Sequence, residues 1–207
     1  DTEVDVAYAK ELKPGEEFLA PHKEEARLEI DLPFRSKFLT IGDINGDGKQ
    51  EILFSTGTDI MVYTLGADLL PALGGVQIKG SKSEEHLWVE TMDLNRNKRD
   101  EVLITSIRGD NVISRIYELR DTEFVLLYTG NVFLRRIENG LIAQAYSRDE
   151  GFSGNVFSIV WDGGYRIGSS VKLPEGVNIY DFIHIDDPRT GRLTIVYDDK
   201  GYLNLYN

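Results

Sequence analysis

Apolar residues along this chain recur with a period of two rather than 3.6. Runs such as Phe38-Leu39-Thr40-Ile41, Ile52-Leu53-Phe54 and Val112 to Leu119 are short, rich in β-branched and aromatic residues, and bounded by Gly, Asn and Asp. Such segments predict strands joined by turns. The one helical candidate is Pro21 to Leu28, and it is marginal.

The strands recur. Each of four units closes its first strand on an acidic residue: Asp43, Asp93, Glu138 and Asp186, at spacings of 50, 45 and 48 residues. A second strand follows each time, over Glu51 to Ser55, Glu101 to Thr105, Leu141 to Ala145 and Leu193 to Tyr197. In unit two the third and fourth strands are Val112 to Leu119 and Phe124 to Tyr128. In unit three they are Val156 to Trp161 and Tyr165 to Val171. Four short strands per 40–50 residues is the pattern of β-propeller blades. The expected fold is therefore all-β, with four-stranded antiparallel blades at about 38–80, 86–129, 132–173 and 179–206. The last unit has three strands. Arg27 to Leu32 alternates polar and apolar residues and would supply the missing strand, closing a four-bladed ring; alternatively the natural protein has more blades. Residues 1–25, with Pro14, Gly15 and Pro21, read as an N-terminal extension or linker, and 26–207 as the propeller.

The turn of the first unit carries chemistry. Asp43, Asn45, Asp47 and Glu51 place side-chain oxygens at loop positions 1, 3, 5 and 9, with Gly48 at position 6. Hard cations such as Ca²⁺ take several oxygen ligands, and glycine permits the sharp turn. An EF-hand would need a bidentate Glu at position 12 between helices; position 12 here is Phe54, within a strand. A metal-free turn also fits, because Asn-Gly and Asp-Gly are strong turn formers. Three carboxylates at fixed spacing exceed what a turn requires and favour the metal.

Residues 38–53 resemble the FG-GAP/VCBS repeat, which builds integrin-α-type β-propellers and many bacterial surface proteins. The resemblance spans roughly residues 27–207. It implies a structural Ca²⁺ held by Asp43, Asn45, Asp47, the Lys49 carbonyl and Glu51. Unit two keeps ligand types at Asp93, Asn95, Asn97 and Glu101, but position 6 is Lys98, so this is a weaker metal site. Unit three has only Glu138-Asn139-Gly140, and unit four lacks the position 3 carboxylate; both are plain turns.

Charge and composition restrict the partners. With 23 Lys+Arg against 35 Asp+Glu, the net charge of -12 disfavours nucleic acid. Cysteine is absent, which removes disulfides, thiolate metal sites and a Cys nucleophile. No run approaches a membrane span, and no signal peptide is visible. His22, His86 and His184 form no metal-binding pair, and no Gly-x-Ser-x-Gly elbow, P-loop or dinucleotide fingerprint occurs. His184 reads as a half-buried sheet residue, and the pairs Asp149-Glu150, Asp186-Asp187 and Asp198-Asp199 as solvated loop charge. Trp88, Trp161, Tyr165, Tyr180 and Tyr197 read as inter-blade core, or as platforms for sugar rings; Tyr202 and Tyr206 are expected to be exposed if a blade is missing.

The expectation is a non-catalytic, calcium-stabilised propeller. It would bind a protein or glycan at the bacterial cell envelope, in the periplasm or outside the cell, with other domains of a longer chain as further partners. A polysaccharide lyase or hydrolase with its site in the central funnel is the first alternative, and a structural spacer within a larger envelope protein the second.

Overall fold

The computed structural model describes residues 31–65, 71–138, 140–187, 191–198 and 200–206. The chain divides into two units between Pro33 and Phe34, and the account below concerns the second. The helix candidate Pro21 to Leu28 and the extension 1–25 lie outside the described residues. So does the Arg27 to Leu32 strand, apart from Asp31 and Leu32, which are not in a strand.

Among the described residues every element is a strand. The first meander comprises β1 (Phe38–Gly42), β2 (Glu51–Ser55), β3 (Ile60–Leu65) and β4 (Pro71–Ile78). The second comprises β5 (Glu85–Met92), β6 (Glu101–Arg108), β7 (Asn111–Arg120) and β8 (Glu123–Gly130), and the third β9 (Val132–Ile137), β10 (Gly140–Ser147), β11 (Gly151–Trp161) and β12 (Tyr165–Ser170). The last sheet has β13 (Phe182–Asp187), β14 (Gly191–Tyr197) and β15 (Leu203–Tyr206). All pairings are antiparallel, giving sheets of four, eight and three strands. The eight-stranded sheet is two meanders joined at one point, where Ser147 pairs with Asn111. Among the described residues the sheets do not join into a closed barrel. The expected strands coincide with these elements to within a residue or two, except that β6 runs three residues past Thr105 and β11 begins five before Val156.

The meanders pack through their faces. Alternation along β2 buries Glu51, Leu53 and Ser55 on one side. Leu53 joins Ile44, Ile60 and Val62 of the first meander with Val89, Val102 and Ile104 of the second in one core cluster. Leu103, the β6 residue between those two, points the other way and packs with Leu134, Leu141 and Ile159 of the third. That is why Glu101–Ser106 is buried on both faces and lacks a polar alternation. A third cluster couples Ile142 and Val156 to Phe182 and Val196.

The first strands of units one and two, β1 and β5, stand side by side. Thr91 Oγ1 donates to the Ile41 carbonyl at 2.6 Å, and Arg136 Nη1 to the Thr91 carbonyl at 3.3 Å. Arg135 Nη1 donates to the Phe182 carbonyl at 2.6 Å and to that of Ile179 at 2.5 Å. Gly42 sits where β1 meets β5. A Cβ there would lie 2.6 Å from Thr91 Oγ1 and 2.6 Å from Asp100 Oδ2, so the close approach requires glycine.

The aromatics divide. Trp88 and Tyr165 pack against the second cluster, as expected. Trp161, Tyr180 and Tyr197 depart from the core expectation, being 38%, 44% and 57% exposed. Trp161 closes the outer end of β11, and Tyr197 lies on the open face of the last sheet beside Leu203. Tyr202 and Tyr206 are exposed, as the sequence suggested.

Candidate metal loops and the groove beside them

Loop 1, between β1 and β2, is organised around its own carboxylates. Asp43 Oδ1 accepts from the backbone N–H groups of Gly46 at 2.7 Å and Asp47 at 3.1 Å, and Oδ2 from that of Gly48 at 2.8 Å. Asn45 Oδ1 accepts from Asp47 N, and Asp47 Oδ1 from Lys49 N, each at 2.8 Å. These are Asx-type turns, in which a short polar side chain satisfies donors the bend leaves unpaired. Gly46 and Gly48 take positive φ, 78° and 84°. Glu51 is buried and accepts from Ile44 N at 3.1 Å and Asn45 Nδ2 at 3.0 Å. Burial holds its pKa above the usual carboxylate range, aided by the nearby charges of Asp47 and Asp43. A cavity of about 550 Å³ opens beside Asp47, Lys49, Gln50, Glu51 and Thr64.

Loop 2, between β5 and β6, repeats the plan. Asp93 accepts from Asn97 N and Lys98 N, Asn95 Oδ1 from Asn97 N, and Asn97 Oδ1 from Arg99 N. Glu101 is fully buried and accepts from Leu94 N at 2.8 Å and from Asn95 Nδ2. Burial pushes its pKa up to about 7.

The centre of loop 2 differs. Glu118, on β7, is buried, and its Oε2 accepts from Asn95 Nδ2 at 3.0 Å and Asn97 Nδ2 at 2.7 Å. Its Oε1 accepts from Arg120 Nε at 2.7 Å. Ladder pairing sets the correspondence between loops: Ile52 faces Tyr63 on β3, and Val102 faces Tyr117 on β7. Thr64 therefore holds the place in unit one that Glu118 holds in unit two. Loop 1 is open where loop 2 is filled by a carboxylate and its arginine.

The two loops are locked together. Asp43 N donates to Asp100 Oδ2 at 3.0 Å, and Asp100 N donates to the Asp43 carbonyl at 2.8 Å. Sequence reasoning passed over both Asp100 and Glu118. Neither lies at a ligand position, and the Glu51–Thr64 and Glu101–Glu118 separations differ because β6 is longer than β2.

Asp43, Asn45, Asp47 and Glu51 are thus brought into one loop, with Lys49 on the cavity wall, and Asp93, Asn95, Asn97 and Glu101 into the other. Among the described residues no three His, Cys, Asp or Glu side chains converge at metal-coordinating distance. The donor set of loop 1 still fits a hard cation. Asp43 Oδ2, Asp47 Oδ1 and both Glu51 oxygens each accept a single hydrogen bond and keep a second lone pair, and the cavity reaches Asp47 and Glu51. In unit three Ile137 pairs with Gly140.

The histidines have structural surroundings. His86 is buried against Ser55 Oγ at 2.8 Å, and burial lowers its pKa to about 4. His184 Nδ1 is 3.0 Å from Thr194 Oγ1 and half-buried. Asp149 and Glu150 are exposed. No helix among the described residues is long and apolar enough to cross a membrane. Compared with known proteins, the chain matches no family model and no curated sequence.

Proposed function

We propose that this chain is a non-catalytic, calcium-stabilised β-propeller segment that binds a protein or glycan partner at the bacterial cell envelope or outside the cell. The blade arrangement is supported by successive meanders whose faces share cores, and by β1 lying beside β5. The resemblance of residues 38–53 to the FG-GAP/VCBS repeat points the same way.

The observation that carries the ion is the difference between the two loops. Loop 1 concentrates Asp43, Asp47 and Glu51 beside an open cavity, and among the described residues no cation is paired to them in the manner of Arg120 with Glu118. A calcium ion held by Asp43, Asn45, Asp47, the Lys49 carbonyl and Glu51 would neutralise that charge and pin β1 to β2. Loop 2 has its equivalent space filled by Glu118, Asn95 and Asn97, so it stands without an ion.

Catalysis gains nothing from these sites. Glu101 has the elevated pKa of a general acid, but it is sealed under Leu94 and Asn95, out of reach of a substrate atom.

The test is thermal melting with calcium and with chelator. Binding to the folded state alone adds about 2.7 kcal/mol when free ion is a hundredfold above Kd, or about 5–10 °C for a chain of this size. Asp47→Ala should abolish that increment. Superimposable melting curves with and without chelator would overturn the reading.

A further inference from the structure

Beside loop 2 lies a groove of about 540 Å³ between the second and third meanders. One wall is Asp93–Arg96 and the other is Glu138 with the strand ends carrying Trp161 and Tyr165. Its size is within the usual range for small-molecule sites.

Three observations single it out. Trp161 and Tyr165 lie ring to ring, centroids 4.8 Å apart at 60°, with Trp161 38% exposed. The stack is rooted in the core through Tyr165, so the indole is presented on a rigid base. The Tyr165 hydroxyl is sealed from solvent beside the Glu101 carboxylate, and burial together with that neighbour raises its pKa, so the ring is held from beneath. Third, Arg96 is exposed and holds φ at 61°, a conformation that disfavours any side chain beyond glycine. Loop 1 makes the same bend with Gly46, so the turn itself does not need arginine. A strained residue retained at the lip of a groove invites a role for its side chain.

We propose that this groove binds a carbohydrate, one pyranose ring lying on Trp161 and its hydroxyl or carboxylate oxygens taken by Arg96. A sugar presents a C–H face to an aromatic surface and hydroxyls around its rim. That matches a groove with an indole on one side and Asp93, Asn95, Arg96 and Glu138 around it. The proposal rests on the reading of this chain as a binding module, and it names the ligand class and the place.

The experiment is isothermal titration calorimetry of the calcium-loaded protein with cello-, xylo-, chito- and galacturono-oligosaccharides. Saturable binding of at least one is expected. Binding confined to the galacturonides assigns Arg96 to a carboxylate, and binding of neutral sugars assigns it to hydroxyls; either supports the groove. Trp161→Ala should weaken binding at least about tenfold. Arg96→Gly should weaken it while leaving the melting temperature unchanged or higher, since it relieves the strained φ; this variant separates lost binding from lost folding. No binding by any of the four, or equal affinity in all three proteins, overturns the proposal. If glycans fail while the calcium increment persists, the groove assignment alone falls. If glycans bind and the calcium increment is missing, the ion falls and the groove stands.

Discussion

Acidification should open the seam between the first two meanders through His86. This side chain is 4% exposed and sits at the junction. Its Nδ1 faces Ser55 Oγ, its backbone N–H donates to the Gly57 carbonyl at 2.6 Å, and Lys37 Nζ donates to the His86 carbonyl at 2.8 Å. Burial is the largest influence on its pKa and favours the neutral ring; the charges of Asp59 and Glu84 oppose it without prevailing. A histidine whose folded pKa lies below its unfolded one must release its proton to fold. Its stability contribution is therefore complete above pH 6.5 and lost as pH falls toward about 4. The shift from 6.5 to about 4 corresponds to on the order of 3 kcal/mol at the acid end, or about 6–12 °C in melting temperature. Glu84 adds a loss in the same direction at the lower edge of that window. The Arg115 hydrogen bonds hold its pKa below 4.5, so its contribution fades as pH drops past that value. The assay is urea unfolding at half-unit steps from pH 7 to 4, on the parent and on His86→Gln, which can keep a hydrogen bond to Ser55. The parent should lose stability through the window, and the variant should be flatter by the histidine's share. Hydrogen exchange should accelerate first at β1, β2 and β5. Parallel pH profiles for parent and variant would refute the argument.

Glu101 should act with the opposite sign: its folded pKa, about 7 without an ion, is above the unfolded 4.5, so stability declines as pH rises between them. Glu101→Gln should therefore raise the melting temperature of chelator-treated protein at pH 8 and give no gain at pH 4, read by differential scanning fluorimetry. Asn97→Ala removes a hydrogen bond to Glu118 and should cost about 1–3 kcal/mol in urea unfolding, while leaving the calcium increment of loop 1 unchanged. Gly42→Ala drives a Cβ into Thr91 and Asp100 and should destabilise by about 1–3 kcal/mol, with the loss visible in the urea midpoint at unchanged slope.

Strand positions were legible because β-structure writes itself locally. Period-two alternation and Gly-Asn-Asp turns located units within a residue or two of Phe38–Gly42, Glu51–Ser55 and Tyr165–Ser170. Loop 1 was legible for the same reason, since its turn chemistry is contained in nine consecutive residues. What joins units was not. Glu118 reaches loop 2 from a strand whose offset depends on hairpin length. Asp100 and Asp43 are linked across 57 residues. Trp161 was assigned to core because a tryptophan in a strand ordinarily packs; here it ends β11 at a groove that exists only once two meanders are side by side. Pairwise contacts between repeats carry no periodic signature, so a single sequence offers no handle on them.

The comparison of the two loops suggests how one scaffold accommodates two electrostatic solutions. Both loops must satisfy the same exposed N–H groups, and both do so with an Asp at position 1 and an oxygen at positions 3 and 5. They differ in what balances the acid at position 9. In unit two the third strand brings Glu118, whose extra charge is met by Arg120 and shared between two amides, and Asn97 replaces a carboxylate. In unit one Asp47 keeps its charge and Thr64 brings none. The reciprocal bonds between Asp43 and Asp100 then tie the loop that is complete to the one that is not. An ion arriving at loop 1 would meet an entry strand already fixed by its neighbour, so less of the loop need be ordered on binding. Asp100→Ala is the test. It leaves every candidate ligand in place, and it should lower calcium affinity in calorimetry while the chelator-treated melting temperature falls by less than the calcium-loaded one. Equal losses in both states would mean that Asp100 supports the fold without preparing the loop.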